Sequence, residues 1–489
     1  MLNHLKNEAN IAYTENGAVT NASTMSDCLD LFATIGAMRA ADDQEIIRHF
    51  IRAYAENADI AMKILFFGRD ARGGLGERRV FRVILNWLAE NRAESLRKNI
   101  ELIPEFGRYD DLVSLLGTAC ENDALRVIRK QMESDLAPDA EVSLLAKWLP
   151  SVNTSNKEAV RRAKRIAHYL GMSDSEYRKT LVGLRKKLRI IENNLRERDY
   201  SFDYSKQPSK AMFKYRKAFL RNDSDRYNAF LEDVSSGEKQ LHADALAPYE
   251  IVRAALNASD WDFDTQLTAG EKAALNASWE SLPDFCDNRN ALAVVDTSGS
   301  MYYYNNALPA AVALSLGLYF GERNSGIFHN HFIEFSSRPQ LIEIKGKTFI
   351  ERLEYLCTFN EVADTNVEAV FNLILDAAVR NNVPQEELPE TLYLISDMEF
   401  NSCVRNAALS NFENAKRKFA KHGYKLPQLV FWNVASRNSN QPVKKNEQGV
   451  ALVSGCSPRL FSMVASGELS PYALMTEILN SERYSKISA

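Results

Sequence analysis

At 489 residues, with 45% hydrophobic and 25% charged side chains, the chain is too long for one ordinary core and too apolar for a disordered polymer, so two domains are expected. No apolar run approaches the roughly 20 residues that cross a bilayer, and Met1–Lys6 lacks the apolar stretch of a signal peptide, so no membrane partner is expected. The net charge of −4 hides an uneven distribution: residues 156–221 hold 19 Lys or Arg against 7 Asp or Glu, a local +12 that leaves −16 for the remainder.

An N-terminal extension, 1–24, precedes a helical region, 25–287. Leu29, Leu31, Phe32, Ile35 and Met38 keep helical spacing, as do Ile46, Ile47, Phe50, Ile51 and Tyr54, with Asp42 and Glu45 resembling a capping box. The glycine-rich stretch Arg72-Gly73-Gly74-Leu75-Gly76 lacks phosphate-loop spacing and reads as a turn before the helix marked by Val80, Phe81, Ile84, Trp87 and Leu88. Ser173 and Glu176 cap a long basic helix running through Leu181, Leu184, Leu188 and Ile191. Successive helices with short turns imply stacked pairs of the HEAT-repeat kind, although no repeat period stands out. Residues 236–287 form a boundary zone, with short helices near Pro248–Asn257 and Gly270–Ser281.

From 288 to 489 the period changes. Ala291–Val295, Ile327–Phe335, Gln340–Ile344, Leu392–Ile395 and Leu429–Trp432 read as strands, and Ala307–Phe320 and Val367–Arg380 as helices. Thr348 with Glu351 caps another helix. The alternation implies a doubly wound, Rossmann-like, mainly parallel sheet, so the expected class is multidomain, α then α/β. The six cysteines lie far apart without a C-x-x-C pair, as expected of reduced thiols in the cytoplasm.

Two of those strands end in aspartate, Asp296 and Asp397. The first opens Asp296-Thr297-Ser298-Gly299-Ser300, a D-x-S-x-S turn. One carboxylate and two hydroxyls on a tight turn offer hard oxygen ligands to magnesium or a similar divalent cation, with Thr365 and Asp397 as distant members. The bland alternatives are an Asx turn at Asp296, a capping box from Thr365 to Glu368, and a plain strand end at Asp397. A metal-dependent hydrolase built on Asp296, Asp364, Asp397 and Glu399 is a weaker reading, because no base or nucleophile stands beside them in the sequence. His329 and His331 lack a third ligand.

On these residues 290–470 resemble a von Willebrand factor A domain with a metal-ion-dependent adhesion site. Further stretches extend the resemblance: Thr14–Ala18 with Leu29–Phe32, Arg69–Arg78, Gly107–Leu112, Lys147–Ser151, Pro208–Arg221 and Ile395–Phe400. Together they resemble an uncharacterised family that joins such a domain to a helical region similar to the TROVE module of the Ro autoantigen. The resemblance implies a ring of helical repeats closed by the A domain, RNA on the helical ring, and Asp296, Ser298, Ser300, Thr365 and Asp397 as the metal shell.

The basic segment supplies the candidate RNA contacts: Arg161, Arg162, Lys164, Arg165, Arg185, Lys186, Lys187, Arg189, Lys210, Lys214, Arg216 and Lys217. A solvated face paired with the chain's own acids is the competing reading. The expectation is therefore a cytoplasmic, non-enzymatic RNA-binding protein whose metal edge opens outward to dock a partner's acidic group. A protein–protein scaffold that binds no nucleic acid is the alternative.

Overall fold

Local capping starts the helices of the first half. Ser26 accepts the amide of Leu29 and opens the helix Asp27–Thr34; Asp42 caps Asp43–Glu56 and Asn57 caps Ala58–Arg69. Their apolar stripes, with that of Arg79–Asn91, bury Leu31, Ile46, Phe50, Leu65, Phe66, Phe81 and Ile84 against one another. The computed structural model describes the chain except residues 189, 258–262, 287–289, 304–307, 336–337, 360–364, 402–409 and 466–468. Among the described residues no helix is long and apolar enough to cross a membrane.

The basic helix is shorter than its periodicity predicts. The Ser173–Glu176 capping box forms, but the helix ends at Lys187 and Ile191–Glu197 is separate. The reason is local: Asn193 Nδ2 donates to the Arg185 carbonyl at 2.8 Å and satisfies an acceptor at the helix end. The glycine-rich stretch is a turn, as expected. A Cβ on Gly74 would sit 2.1 Å from the Phe67 carbonyl oxygen, so only glycine fits.

The extension 1–24 holds structure that its composition does not announce. A helix, Leu2–Ala9, leads into a hairpin of β1 (Ile11–Tyr13) and β2 (Val19–Asn21), and Asn21 exchanges backbone hydrogen bonds with Gln441 at 3.0 and 2.7 Å.

The second half is built on six strands: β3 (Ala291–Asp296), β4 (His331–Phe335), β5 (Gln340–Glu343), β6 (Thr391–Ser396), β7 (Gln428–Asn433) and β8 (Val450–Ser454). Their order is β5-β4-β3-β6-β7-β8, and all pairs are parallel except β4 with β5. Alternate side chains face opposite layers. Ala293, Tyr393, Trp432 and Val453 join a core with helix Leu308–Arg323 and the first-half helices. Leu292, Leu394, Phe431 and Leu452 join a second core under Val367–Asn381 and Asn411–Lys421. Burial on both faces explains why these strands read as continuous apolar runs.

The first core is continuous across residue 288. At the junction Gly36 lies so close to β8 that a Cβ there would sit 2.5 Å from the Ser454 carbonyl oxygen, and its amide donates to Ser454 Oγ at 3.0 Å. The last residues return to the first helices. Arg483 and Tyr484 both bond the buried Asp70 in the glycine-rich turn, Tyr484 stacks on Phe106, and the Ala489 amide donates to Asp59 at 2.7 Å.

Candidate metal centre and the basic segment

The strand register assembles the carboxyl edge. Val295 pairs with Ile395 and Ser396 with Asn433, so Asp296, Ser396 and Asn433 end neighbouring strands in one row. β3 and β6 are adjacent although β4 and β5 lie between them in the chain, because the strand order reverses between them; such a switch point opens a crevice. Asp296 and Asp397 are 1% and 2% exposed. Ser396 Oγ donates to Asp296 Oδ2, and the Ser298 amide donates to Asp296 Oδ1 at 2.9 Å, so the Asx turn is present as part of the site. Ser298 Oγ and Ser300 Oγ lie 3.2 Å apart. Met398, immediately after Asp397, holds a left-handed φ of 67°, a conformation that costs a non-glycine residue free energy and concentrates at functional sites.

Electrostatics set the two carboxylates of the edge against each other. Burial, reinforced by the charge of Asp397, raises the Asp296 carboxyl well above the usual carboxylate range, against the opposing hydrogen bonds from Ser396 and Ser298. Arg437 Nη1 reaches Asp397 Oδ2 at 3.2 Å, and its other terminal nitrogen bonds Glu15 of the N-terminal hairpin. The hairpin loop is fastened at several further points. Thr14 Oγ1 donates to the Phe400 carbonyl at 2.6 Å, the Glu15 amide donates to Glu399 at 2.7 Å, and Asn16 Nδ2 donates to the Glu399 carbonyl at 2.6 Å. Burial raises the Glu399 carboxyl as well.

Ser300 is partly exposed and both aspartates are buried, and among the described residues no side-chain hydrogen bond joins Asp296 or Asp397 to residues 25–234; the loop 14–17 bonds their neighbours Glu399, Phe400 and Arg437. Thr365 is buried and its carbonyl accepts the Asn401 amide at 2.9 Å. It does not cap the following helix; Asn366 does, through the Ala369 amide. Asp364 lies outside the described residues. His329 sits in the turn before β4, which begins only at His331, and each imidazole Nδ1 meets a backbone carbonyl oxygen.

The donor set at the edge is oxygen only. Among the described residues no three His, Cys, Asp or Glu gather as a metal cluster. Two carboxylates and the hydroxyls of Ser298 and Ser300 suit a hard cation and leave soft metals without a sulfur or imidazole. Ser396 and Glu15 lie in stretches that carry the family resemblance but are not among the expected site residues, and Arg437 lies outside those stretches. The strand order would have pointed to Arg437, since it follows β7 at the same edge.

The basic segment is less uniform than its composition. Arg161 and Arg162 pair with Glu158, Lys164 with Asp174, Arg165 with Glu121, Lys210 with Glu250 and Lys217 with Glu271. Arg185 donates to the carbonyls of Ala146 and Leu149 at 2.8 and 2.9 Å, and Arg216 to that of Phe213 at 2.6 Å, so both serve the fold. Lys214 lies over the Tyr215 ring, and Arg189 is outside the described residues. Lys186 and Lys187 are exposed with no partner among the described residues, as is Arg178 one turn beyond Val182 on the same helix.

Comparison with known proteins follows the division of the chain. Residues 290–474 match a family described as Domain of unknown function (DUF7788), and residues 14–136 and 153–287 match Domain of unknown function (DUF2828). An uncharacterized protein of Acanthamoeba polyphaga mimivirus, L728, is 29% identical over 525 residues, spanning 97% of this chain and 90% of its own length. The crystal structure of the Deinococcus radiodurans RO (RSR) protein covers 96% of each chain at 15% identity, with a TM-score of 0.40. With its family match extending over more than half its length, the chain belongs to the DUF2828 family.

Proposed function

We propose that the second half is a von Willebrand factor A-type domain holding one hard divalent cation, magnesium in the first instance, through Asp296, Ser298 and Ser300, with Thr365 and Asp397 completing the shell. The observation that carries this reading is the meeting of two buried aspartates and neighbouring hydroxyls at the switch point between β3 and β6. The cation would offset the repulsion between the two carboxylates and accept an acidic group from a partner. The reading is non-enzymatic: Arg437 engages Asp397, while Glu399 accepts from the Glu15 amide and Asn438, so neither is free as a base. Magnesium titration followed by calorimetry and thermal unfolding tests it. The wild-type chain should gain about 2.7 kcal/mol at a hundredfold excess over Kd. Asp296→Ala should show no gain, and Ser298→Ala and Ser300→Ala a smaller one. Equal responses in wild type and Asp296→Ala would remove the assignment.

The second reading concerns the first half, taken as a HEAT-like platform for RNA. Its support is the pair Lys186 and Lys187 at the end of one helix, exposed and without a partner among the described residues. A scaffold that binds proteins alone is the competing outcome, and filter binding with RNA across a salt series separates the two.

A further inference from the structure

The N-terminal hairpin is closed on itself and then fastened to the far half of the chain. At its base the Ala22 amide donates to the Asn10 carbonyl at 2.8 Å, and the Asn10 side chain donates to the Ser23 carbonyl and accepts the Ser23 amide, each at 3.0 Å. Beyond that base, among the described residues, the hydrogen bonds of residues 11–21 to the body of the chain run to 399–401, after β6, and to 437–441, after β7. Little apolar surface is buried with them. Within residues 1–23 the buried side chains are Asn10, Thr14, Ala18 and Thr20, three polar groups and one methyl, while Leu2, Leu5, Ile11 and Tyr13 are all exposed. Hydrogen bonds that water can replace hold this segment, so it opens at less cost than the core beneath it.

The surface under the loop has a definite chemistry. Three consecutive residues meet it: the Thr14 hydroxyl on the Phe400 carbonyl, the Glu15 carboxylate on Arg437 and on Asn438 Nδ2 at 3.2 Å, and the Asn16 carboxamide on the Glu399 carbonyl. Gly17, at a φ of 79°, turns the chain so that its amide donates to the Thr14 carbonyl at 3.0 Å. Arg437 is shared between a buried and an exposed acid: Nη1 serves Asp397, whose side chain is 1% exposed, and the other terminal nitrogen serves Glu15, whose side chain is 41% exposed. When the loop lifts, that outer nitrogen and the two carbonyls face solvent.

We propose that Glu399, Phe400, Arg437 and Asn438 form a docking site for an acidic turn, one that residues 14–16 fill from within the chain and that a protein partner fills by displacing them. The partner's turn carries a hydroxyl, a carboxylate and a carboxamide in consecutive positions, the pattern of the segment now seated there. The carboxylate supplies the charge-assisted bond to the guanidinium, and the flanking groups satisfy the two carbonyls. The tethered loop competes at a high local concentration, which keeps the site closed to weak or unmatched acids. This docking needs no cation, so it stands or falls apart from the magnesium site.

The test uses the full chain in chelator, with a fluorescent peptide of residues 10–22 standing in for the partner's turn. Thr14→Val with Glu15→Gln, both within the loop, should release it: the amides of residues 14–21 should exchange with deuterium at least about tenfold faster than in the wild type, while those of β3 and β6 keep their rates. The peptide should bind this variant at least about tenfold more tightly than the wild type, whose own loop competes. A peptide carrying Glu15→Gln should bind the variant about tenfold more weakly than the acidic one, and adding Arg437→Gln to the chain should erase that preference. The proposal is overturned if the peptide binds the variant no better than the wild type, or if its Glu15→Gln form binds equally well. It is also overturned if exchange in β3 and β6 rises together with that of the loop, which would make the hairpin an inseparable part of the fold.

Discussion

The carboxyl edge and the basic segment both concentrate charge, and they do so in opposite ways. At the edge, Asp296, Asp397, Arg437 and Glu15 come from distant parts of the chain and meet because strand order brings them together. In residues 156–221 the charges are neighbours in sequence, yet six of the candidate contacts turn to nearby carboxylates and two to backbone carbonyls. A dense run of like charge therefore says little about which of its charges stay free for a partner, because nearby carboxylates take up several of them. Interior charges must be answered by a partner, whereas exposed ones are answered by water.

The sharpest way to break this contrast is to remove the edge's internal counter-ion. Arg437→Met leaves Asp397 buried beside Asp296 without its cationic partner, and removing one member of such a pair costs about 3 kcal/mol. Denaturant unfolding should show that loss in chelator and a partial recovery in magnesium. A deficit that magnesium does not narrow would mean that Arg437 and the cation do not answer the same charge.

Next in size is a group at the junction between the halves. Burial, then the charges of Arg52 and Arg48, lower the His49 pKa to about 4, and its ring meets Ser439 at 3.2 Å, two residues past Arg437. The folded state thus keeps His49 neutral while the unfolded chain protonates it near pH 6.5. Stability from this group is present above that pH and is lost as pH falls from about 6.5 to about 4, by on the order of 3 kcal/mol. His49→Gln should flatten the wild-type decline across that window, measured by unfolding at stepped pH; an unchanged slope would assign the decline elsewhere.

Two smaller effects sharpen the other side of the comparison. Reversing Lys186 and Lys187 to Glu should flatten the dependence of log RNA affinity on log salt by roughly 1.4, two phosphates at about 0.7 each. Reversing Arg161 and Arg162, both held by Glu158, should change that slope less; equal changes would make the whole segment the contact surface. Smallest of all, Arg165→Ala breaks an exposed pair with Glu121 and should cost under about 1 kcal/mol by thermal unfolding. A larger loss would show that this surface supports the fold.

What could be read from the sequence divides along the same physical line. β3, β6 and β7 announce themselves because both faces are buried, and Ser173 with Glu176 because a capping box is local. β8 is missing from the expected strands although Val450–Val453 is an apolar run as long as those of β6 and β7, and Asn411–Lys421 is missing from the expected helices because it is rich in charge with few apolar residues. At the site, Asp296, Ser298 and Ser300 are adjacent in sequence and legible as a motif. Ser396 and Arg437 meet the aspartates only through register and strand order, and the hairpin loop 14–17 meets Glu399 and Arg437 only in the folded chain. Thr365 misled in a different way: its spacing to Glu368 fits a capping box, but Asn366, one residue on, satisfies the helix amide first.

The return of the last residues to the first helices also bears on how the chain is made. Gly36 waits for Ser454, and Asp70 for Arg483 and Tyr484, partners 418, 413 and 414 residues away. At the roughly 5–20 residues per second of synthesis, those partners emerge tens of seconds after the helices that need them. Until then Asp70 is without its arginine, and the side of Leu31 and Phe32 that packs toward the sheet stays uncovered. The early helices leave the ribosome as an unfinished surface, exposed to chaperones and to one another, and the order of synthesis is not the order of assembly.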